Sequence, residues 1–376
     1  MKAMILAAGK GTRVQPLTYE LPKPMIPVPG RPVMEYIVEH LARHGVTDIM
    51  VNLSHLGYRI EQFFGDGRRF GVNIGYSFEG SLANGEIVPK PLGSAGALRK
   101  IQDFGSFFDE TTLVLCGDVI IDLDITRAAA RHREQRALVT VIAAEVPREA
   151  VSSYGVIESD GAGRVVSFQE KSTPAQARSN GVSTGIYVFE PEAVAMIPPE
   201  RTFDIGGEYF PMLVRERGRV FCQKHAFNWI DIGKVSDYWE VVMRLMREPA
   251  AGAVIPGREV KPRVFAGLNT RIAWEAVEIN GPVYVGAGTR IDPGCRINGP
   301  VWIGHGCHIE SGAEVARSVL FDYTCVKGGS RIADMVLSGR YGVSRWGETF
   351  GDPEALPMQR WGDARSRTVN SRCVVA

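Results

Sequence analysis

The sequence contains no apolar run approaching the ~20 residues that a membrane-spanning helix requires. Its first ten residues, MKAMILAAGK, hold one Lys and a short apolar stretch that passes straight into glycine-rich sequence. Without a small-residue cleavage site, this segment reads as a strand and not as a signal peptide. Blocks of like charge are also missing: 43 Lys+Arg against 42 Asp+Glu leave a net charge of +1. That balance excludes the basic face of a nucleic-acid-binding protein and the charged tail of an interaction module. Cysteine is sparse. The six residues Cys116, Cys222, Cys295, Cys307, Cys325 and Cys373 are scattered and form no CxxC pair. Such a pattern fits reduced thiols in the cytoplasm, not a disulfide or zinc framework.

What is present is the composition of a globular protein, 45% apolar and 23% charged. A length of 376 residues is comfortable for two domains. In the first two-thirds, apolar runs at 3–7, 49–53, 113–116 and 139–143 read as strands buried on both faces. Helical patterns at 33–44 and 125–135 lie between them, so the pattern predicts an α/β fold with helices flanking a mostly parallel sheet. In such sheets ligands sit beyond the carboxyl ends of the strands. Near Glu248 the character changes: PAAGAVIPG is a linker-like stretch, followed by aliphatic residues at six-residue intervals, Val285, Ile291, Ile303, Ile309 and Val315. With small or turn residues between them, these are the hexapeptide signature of a parallel β-helix, left-handed in the usual form. Asn298-Gly-Pro is expected to be an insert looping out at a coil corner. The expected domains are 1–248, a linker at 249–262, the coil at 263–340 and an irregular tail at 341–376.

The first strand runs into Ala8-Gly9-Lys10-Gly11-Thr12-Arg13, then Pro16-Leu17-Thr18 and Pro22-Lys23-Pro24. Glycines allow close backbone approach, and successive N–H groups can cradle phosphate oxygens. Arg13 offers a forked guanidinium and Lys23 a point charge. The spacing is neither G-x-G-x-x-G, since Val14 occupies the third glycine position, nor a P-loop. Alone, the turn is as consistent with a purely structural role. In combination, LAAGKGTR…PLT…PKP with VPGRPVMEY resembles the nucleotide-sugar pyrophosphorylase family over roughly residues 1–248, a family with a glycosyltransferase-A-like, Rossmann-like catalytic fold. The hexapeptide coil occurs in several of its branches.

The resemblance implies roles for further residues. Leu6, Ala8, Gly9, Gly11, Thr12 and Arg13 would hold nucleotide, with Gly93 and Ser94 beneath the base and Gly117 nearby. Arg13 and Lys23 would contact phosphates, and Asp118, with Asp231 in WIDIG, would bind Mg²⁺. Carboxylates at strand ends suit such a hard cation. Asp122 and Asp124 read instead as helix-start residues. Tyr154-Gly155 and Phe168-Gln-Glu170-Lys171 resemble the elements that hold the sugar and its phosphate, and Thr184-Gly185 occupies a further sugar-contacting position. Two departures stand out: Ser183 replaces the family's Asn, and Lys90-Pro91-Leu92, after a polar insertion, precedes the base-facing turn where relatives carry Glu or Gln.

The implied reaction joins a nucleoside triphosphate to a sugar 1-phosphate and releases pyrophosphate, with Arg13, Lys23, Asp118 and Lys171 as the catalytic set. The stretches VNLSHL, DGRRFGVNIGYSFEG and FDIGGEYFP resemble the branch of cyanobacterial-type UDP-glucose pyrophosphorylases, close to GDP-mannose pyrophosphorylases. UTP with glucose 1-phosphate is the expected pair, and GTP with mannose 1-phosphate the alternative. Two other classes stay open: a non-catalytic sensor of sugar nucleotides, and an acyltransferase using His305 or His308 of the coil. A homo-oligomer packed through the coil is expected, with no nucleic-acid or membrane partner.

Overall fold

The computed structural model describes residues 1–83, 86–216, 218–250, 252–351 and 360–366. The chain forms two compact units, the first comprising Met1–Gly11, Glu20–Ile26 and Val33–Asp231 and the second Thr12–Tyr19, Pro27–Pro32 and Ile232–Ala376.

The first unit is built on a nine-stranded sheet. Its strands are β1 (Lys2–Leu6), β2 (Asp48–Leu53), β3 (Asn73–Phe78) and β4 (Thr112–Cys116). β5 (Val119–Ile121) stands outside that sheet, which continues with β6 (Val139–Glu145), β7 (Gly155–Ser159), β8 (Val165–Glu170), β9 (Gly181–Phe189) and β10 (Val220–Lys224). The order β8-β7-β9-β4-β1-β2-β3 continues through β6 and β10 from β9. β3, β2, β1 and β4 are mutually parallel, whereas β9 runs antiparallel to β4, β6 and β7. The sheet is therefore mixed, its parallel half being the half that carries the glycine-rich loop.

Helices α1 (Val33–Arg43), α2 (Gly57–Phe64), α3 (Ser94–Gly105) and α4 (Ile125–Glu134) flank the sheet. Side chains alternate along a strand, and β1 shows the result. Ala3 and Ile5 enter one core with Met34, Ile37 and Ile60 of α1 and α2, while Met4 enters the opposite core with Leu98 and Ile101 of α3. The predicted strands and helices match these elements to within two residues at each end.

In the second unit, α5 (Val235–Arg247) precedes a parallel β-helix with three ladders. Ile291, Ile297, Ile303, Ile309 and Val315 all point into one buried core. The six-residue spacing runs unbroken through Ile297, so Asn298–Pro300 is not an insert: it forms the corner between Arg296–Asn298 and Val301–Ile303. Within 249–262, Arg258–Lys261 forms a strand antiparallel to Val264–Ala266. The described part of 341–376 is not irregular: Gly342–Ser344, Thr349–Phe350 and Trp361–Asp363 add antiparallel strands at the other end. Residues 352–359 and 367–376, with Cys373, lie outside the described residues. The VPGRP stretch also seats in this unit. Tyr238 Oη donates to the Pro27 carbonyl at 3.0 Å, and Arg31 donates to the Gly252 carbonyl at 2.9 Å. No described helix is long and apolar enough to cross a membrane.

Candidate active site

β1 and β4 lie side by side, and the loops at their carboxyl ends bring the first two motifs together. The Gly117 N–H donates to the Leu6 carbonyl at 2.9 Å. A Cβ on Gly117 would come within 3.1 Å of Ile5 and 3.2 Å of the Leu6 oxygen, so glycine is what lets the chain close against β1 there. Asp118 follows and forms an ion pair with Lys23, which starts the short turn Lys23–Met25 after Pro22. Both side chains are largely buried, at 21% and 13% exposure. Burial opposes the Lys23 ammonium, but the carboxylates of Asp118 and Asp231 outweigh it and hold its pKa above the ordinary value.

Asp231 reaches this place through a second element. β11 (Trp229–Asp231) pairs antiparallel with β5, and Asp231 lies opposite Val119. The two aspartates therefore occupy the same end of a two-stranded ribbon. Their carboxylate oxygens are the donor type that hard divalent cations take. With the Lys23 ammonium already paired to Asp118 at this ribbon end, the two carboxylates fit a hard divalent cation. Asp124 caps α4 as expected, accepting from the Arg127 N–H at 2.9 Å. Asp122 starts no helix. It accepts from the main chain and side chain of Asn228, both at 2.6 Å, and so secures the approach to β11.

The sugar-motif residues meet across a hairpin. Register in β7 and β8 sets Gly155 opposite Glu170, and the Lys171 N–H donates to the Tyr154 carbonyl at 3.0 Å. Lys171 adopts a positive φ of 48°, uncommon for a side-chain-bearing residue, and its ammonium lies 3.1 Å from Glu170. Thr184 is placed differently from expectation. The residue is 2% exposed, and its hydroxyl donates to the Ile142 carbonyl at 2.8 Å, tying β9 to β6 at a bulge. Ser183 donates to Tyr187 at 3.1 Å.

Around these elements lies a cavity of about 400 Å³, lined by Leu6, Ala8, Gly9, Gly93, Ser94, Asp118 and Glu170 from the predicted set. Asn52, Glu79, Pro91, Cys116, Tyr187, Asp204, Ile205 and Gly206 complete the lining. Gly93 has φ +74°, and a Cβ there would sit 2.5 Å from the Phe203 carbonyl oxygen, which accepts from the N–H groups of Ala95 and Gly96 at the start of α3. Ser94 donates to Asp204 at 2.9 Å. Gly11 closes the described loop of the first unit, whereas Thr12 and Arg13 begin the turn Thr12–Val14, where Val14 is buried and both are exposed. Of these additional residues, Asn52, Glu79, Asp204, Ile205 and Gly206 fall within VNLSHL, YSFEG and FDIGGEYFP, stretches whose likeness to relatives was the available signal, whereas Pro91, Cys116 and Tyr187 do not. In the second unit, His305 accepts from the Ala287 N–H at 3.0 Å and His308 bonds Asp292 at 2.8 Å. Both are thus engaged within the coil stack.

The nucleotidyl transferase family model matches residues 2–248, and the model of the GMPPB C-terminal domain matches residues 279–351. A UTP–glucose-1-phosphate uridylyltransferase of Synechocystis sp. is 48% identical over 99% of this chain and 96% of its own length. A mannose-1-phosphate guanylyltransferase of Mycobacterium tuberculosis is 31% identical over 78% of this chain and 77% of its own. A solved Bacillus anthracis structure assigned as a glucose-1-phosphate thymidylyltransferase superposes with a TM-score of 0.55 at 25% identity, covering 64% of this chain and 94% of that one. With the glycine-rich loop, Asp118 and Glu170 lining one cavity, the chain belongs to the nucleotidyl transferase family, among its sugar-nucleotide pyrophosphorylases.

Proposed function

We propose that the chain transfers a uridylyl group from UTP to glucose 1-phosphate, releasing pyrophosphate and forming UDP-glucose. The observation that carries this reading is the 48% identity, held over nearly the full length, with a UTP–glucose-1-phosphate uridylyltransferase. Mannose-1-phosphate guanylyltransfer is the second reading, favoured by the match of residues 279–351 to the GMPPB C-terminal domain.

A phosphate monoester has a second pKa near ~6, so at neutral pH the sugar phosphate is already a dianionic nucleophile and needs no general base. The obstacle is bringing two anions together in line, which positioning and charge neutralisation overcome. In this reading Gly9, Gly11, Thr12 and Arg13 hold the β- and γ-phosphates. Lys23 neutralises charge at the α-phosphate, exchanging its ion pair with Asp118 for the substrate. Asp118 and Asp231 would hold Mg²⁺, which when bound supplies charge neutralisation to phosphate oxygens. Lys171 binds the attacking phosphate, while Tyr154, Gly155, Glu170 and Gly185 orient the sugar. Gly93 and Ser94 support the base. Residues 1–248 serve as the catalytic domain and 263–340 as the coil, joined through 249–262. We assign the coil to packing between copies, with Leu268 and Trp346, 82% and 71% exposed, available for such a contact. We place the chain in the cytoplasm, where thiols such as Cys116, Cys222, Cys295 and Cys307 stay reduced.

Pyrophosphate release measured with Mg²⁺, crossing UTP, GTP, dTTP and ATP against glucose 1-phosphate and mannose 1-phosphate, tests the assignment. A dominant UTP–glucose 1-phosphate signal is expected. A dominant GTP–mannose 1-phosphate signal would replace base and sugar while keeping the mechanism, and silence throughout would overturn the reading.

A further inference from the structure

Asn52 and Glu79 have no part in the chemistry above, yet both are buried in the cavity wall, at 3% and 4% exposure. They form a directed chain of hydrogen bonds. The Ala7 N–H donates to Asn52 Oδ1 at 2.7 Å, Asn52 Nδ2 donates to Glu79 Oε1 at 2.5 Å, and the Leu92 N–H donates to Glu79 Oε2 at 3.0 Å. Ala7 is the first residue after β1, where the glycine-rich loop begins, and Leu92 directly precedes Gly93-Ser94. We propose that Asn52 and Glu79 are positioning residues, a clamp that fixes the phosphate loop relative to the base-facing turn so that the two ends of the nucleotide meet preset partners. This inference rests on the nucleotide-site reading given above.

The polarity of the chain is what makes it specific. Its two ends are main-chain donors, so each end of the side-chain bridge must accept, and between the two side chains one group must donate. One amide and one carboxylate satisfy this, and the Ala7 N–H dictates which way the Asn52 amide faces. The main chain of Glu79 adds a second anchor. Its N–H donates to the Leu53 carbonyl at 2.7 Å, and its carbonyl accepts from the Lys90 N–H at 3.0 Å. That last bond closes the base of the polar insertion, bringing Leu92 back beside Glu79 although the insertion separates them in sequence. Burial pushes the Glu79 carboxyl up from its ordinary range, against the opposing effects of the Leu92 N–H, Asn52 and Lys100. A buried carboxyl is costly unless its oxygens are bonded, and here each oxygen has a partner. Fixing two loops before the ligand arrives removes part of the ordering cost of binding.

The test uses four full-length proteins: wild type, Glu79→Gln, Asn52→Asp, and the double variant carrying both. Glu79→Gln sets amide against amide, and Asn52→Asp sets carboxylate against carboxylate. The double variant reverses the bridge, keeps the net charge, and again places a donor between two acceptors. Each single change is expected to raise KM for UTP about tenfold, the size of one broken buried hydrogen bond. KM for glucose 1-phosphate should stay within about twofold, and the double variant should recover most of the UTP affinity. Amide hydrogen exchange without nucleotide provides a second readout: segments containing Ala7 and Leu92 should exchange faster in both single variants and regain protection in the double. Wild-type KM for UTP and wild-type exchange in both singles would overturn the clamp. So would a double variant with regained protection but no regained UTP affinity, because the carboxylate would then be reading the nucleotide directly. If the wild-type chain turns over no nucleotide, the catalytic reading fails, and the clamp is judged on exchange alone.

Discussion

A carboxylate acts at two levels in this site, through its charge and through its place on the backbone. Asp231 contributes charge: it faces Lys23 from β11 and shares its ribbon end with Asp118. Asp231→Ala should lower kcat on the order of 10²–10³-fold, as removal of other charge-stabilising groups does. The fold should survive, because Asp231 ends a three-residue strand whose partner β5 is held independently by buried Val119, Ile120 and Ile121. Pyrophosphate release at saturating substrates measures this, and turnover near wild type would remove Asp231 from the reaction. Asp118 was singled out in the sequence at the end of an apolar strand, and Asp231 through the family resemblance of WIDIG. Asn52, Glu79 and Asp204 were not. Each alone is an isolated polar residue, and only the sheet order β1-β2-β3 gives the first two a shared wall.

At the scale of elements, the start of α3 shows how a turn is committed to one geometry. Gly93 stands at φ +74°, with the Phe203 carbonyl where a Cβ would go, and that same carbonyl takes two N–H groups of the first helical turn. Gly93→Ala combines a strained φ with a backbone clash, costing about 1–3 kcal/mol for the strain alone, and the turn must move away from Phe203. The expected result is a lower melting temperature together with a raised KM for UTP. An unchanged KM for UTP would show that this turn does not face the base. Legibility differed by element for a physical reason. The coil announces itself because each six-residue step must place one aliphatic side chain inward, and Ile291, Ile297 and Ile303 do so. The antiparallel course of β9 leaves no such mark. Its residues are buried on both faces nearly throughout, and such a run has the same apolar pattern in either direction. The corner at Asn298–Pro300 looks like an insert because Gly299-Pro300 is a turn-forming pair, whereas the spacing from Ile297 to Ile303 places it inside the repeat.

At the scale of the whole molecule, stability against acid should be governed first by buried neutral histidines of the first unit. His132 is fully buried on α4, between Thr140 at 2.7 Å and Glu190 at 2.9 Å. Burial lowers its pKa, and although Glu190 pulls the other way, burial prevails, with Arg133 adding to it. His40 is held low by burial as well, opposed by its bond to the Leu123 carbonyl and helped by His44 and Arg43. Since both folded-state pKa values lie below the ordinary value near ~6.5, the unfolded chain takes up these protons first as pH falls. Their contribution is therefore complete above about pH 6.5 and is lost as pH drops toward the folded-state values, by up to about 1.4 kcal/mol per pH unit for each proton. Carboxylates such as Glu145 and Glu314, whose pKa values are lowered by their partners Lys224 and Arg296, enter only further down. Melting temperature followed from pH 7.5 to 5 should hold level and then decline below about 6.5. His132→Gln, which cannot take up a proton, should decline less steeply over the same interval. Equal slopes in the two proteins would mean that His132 is protonated as readily in the folded chain as in the unfolded one, against the burial that encloses it.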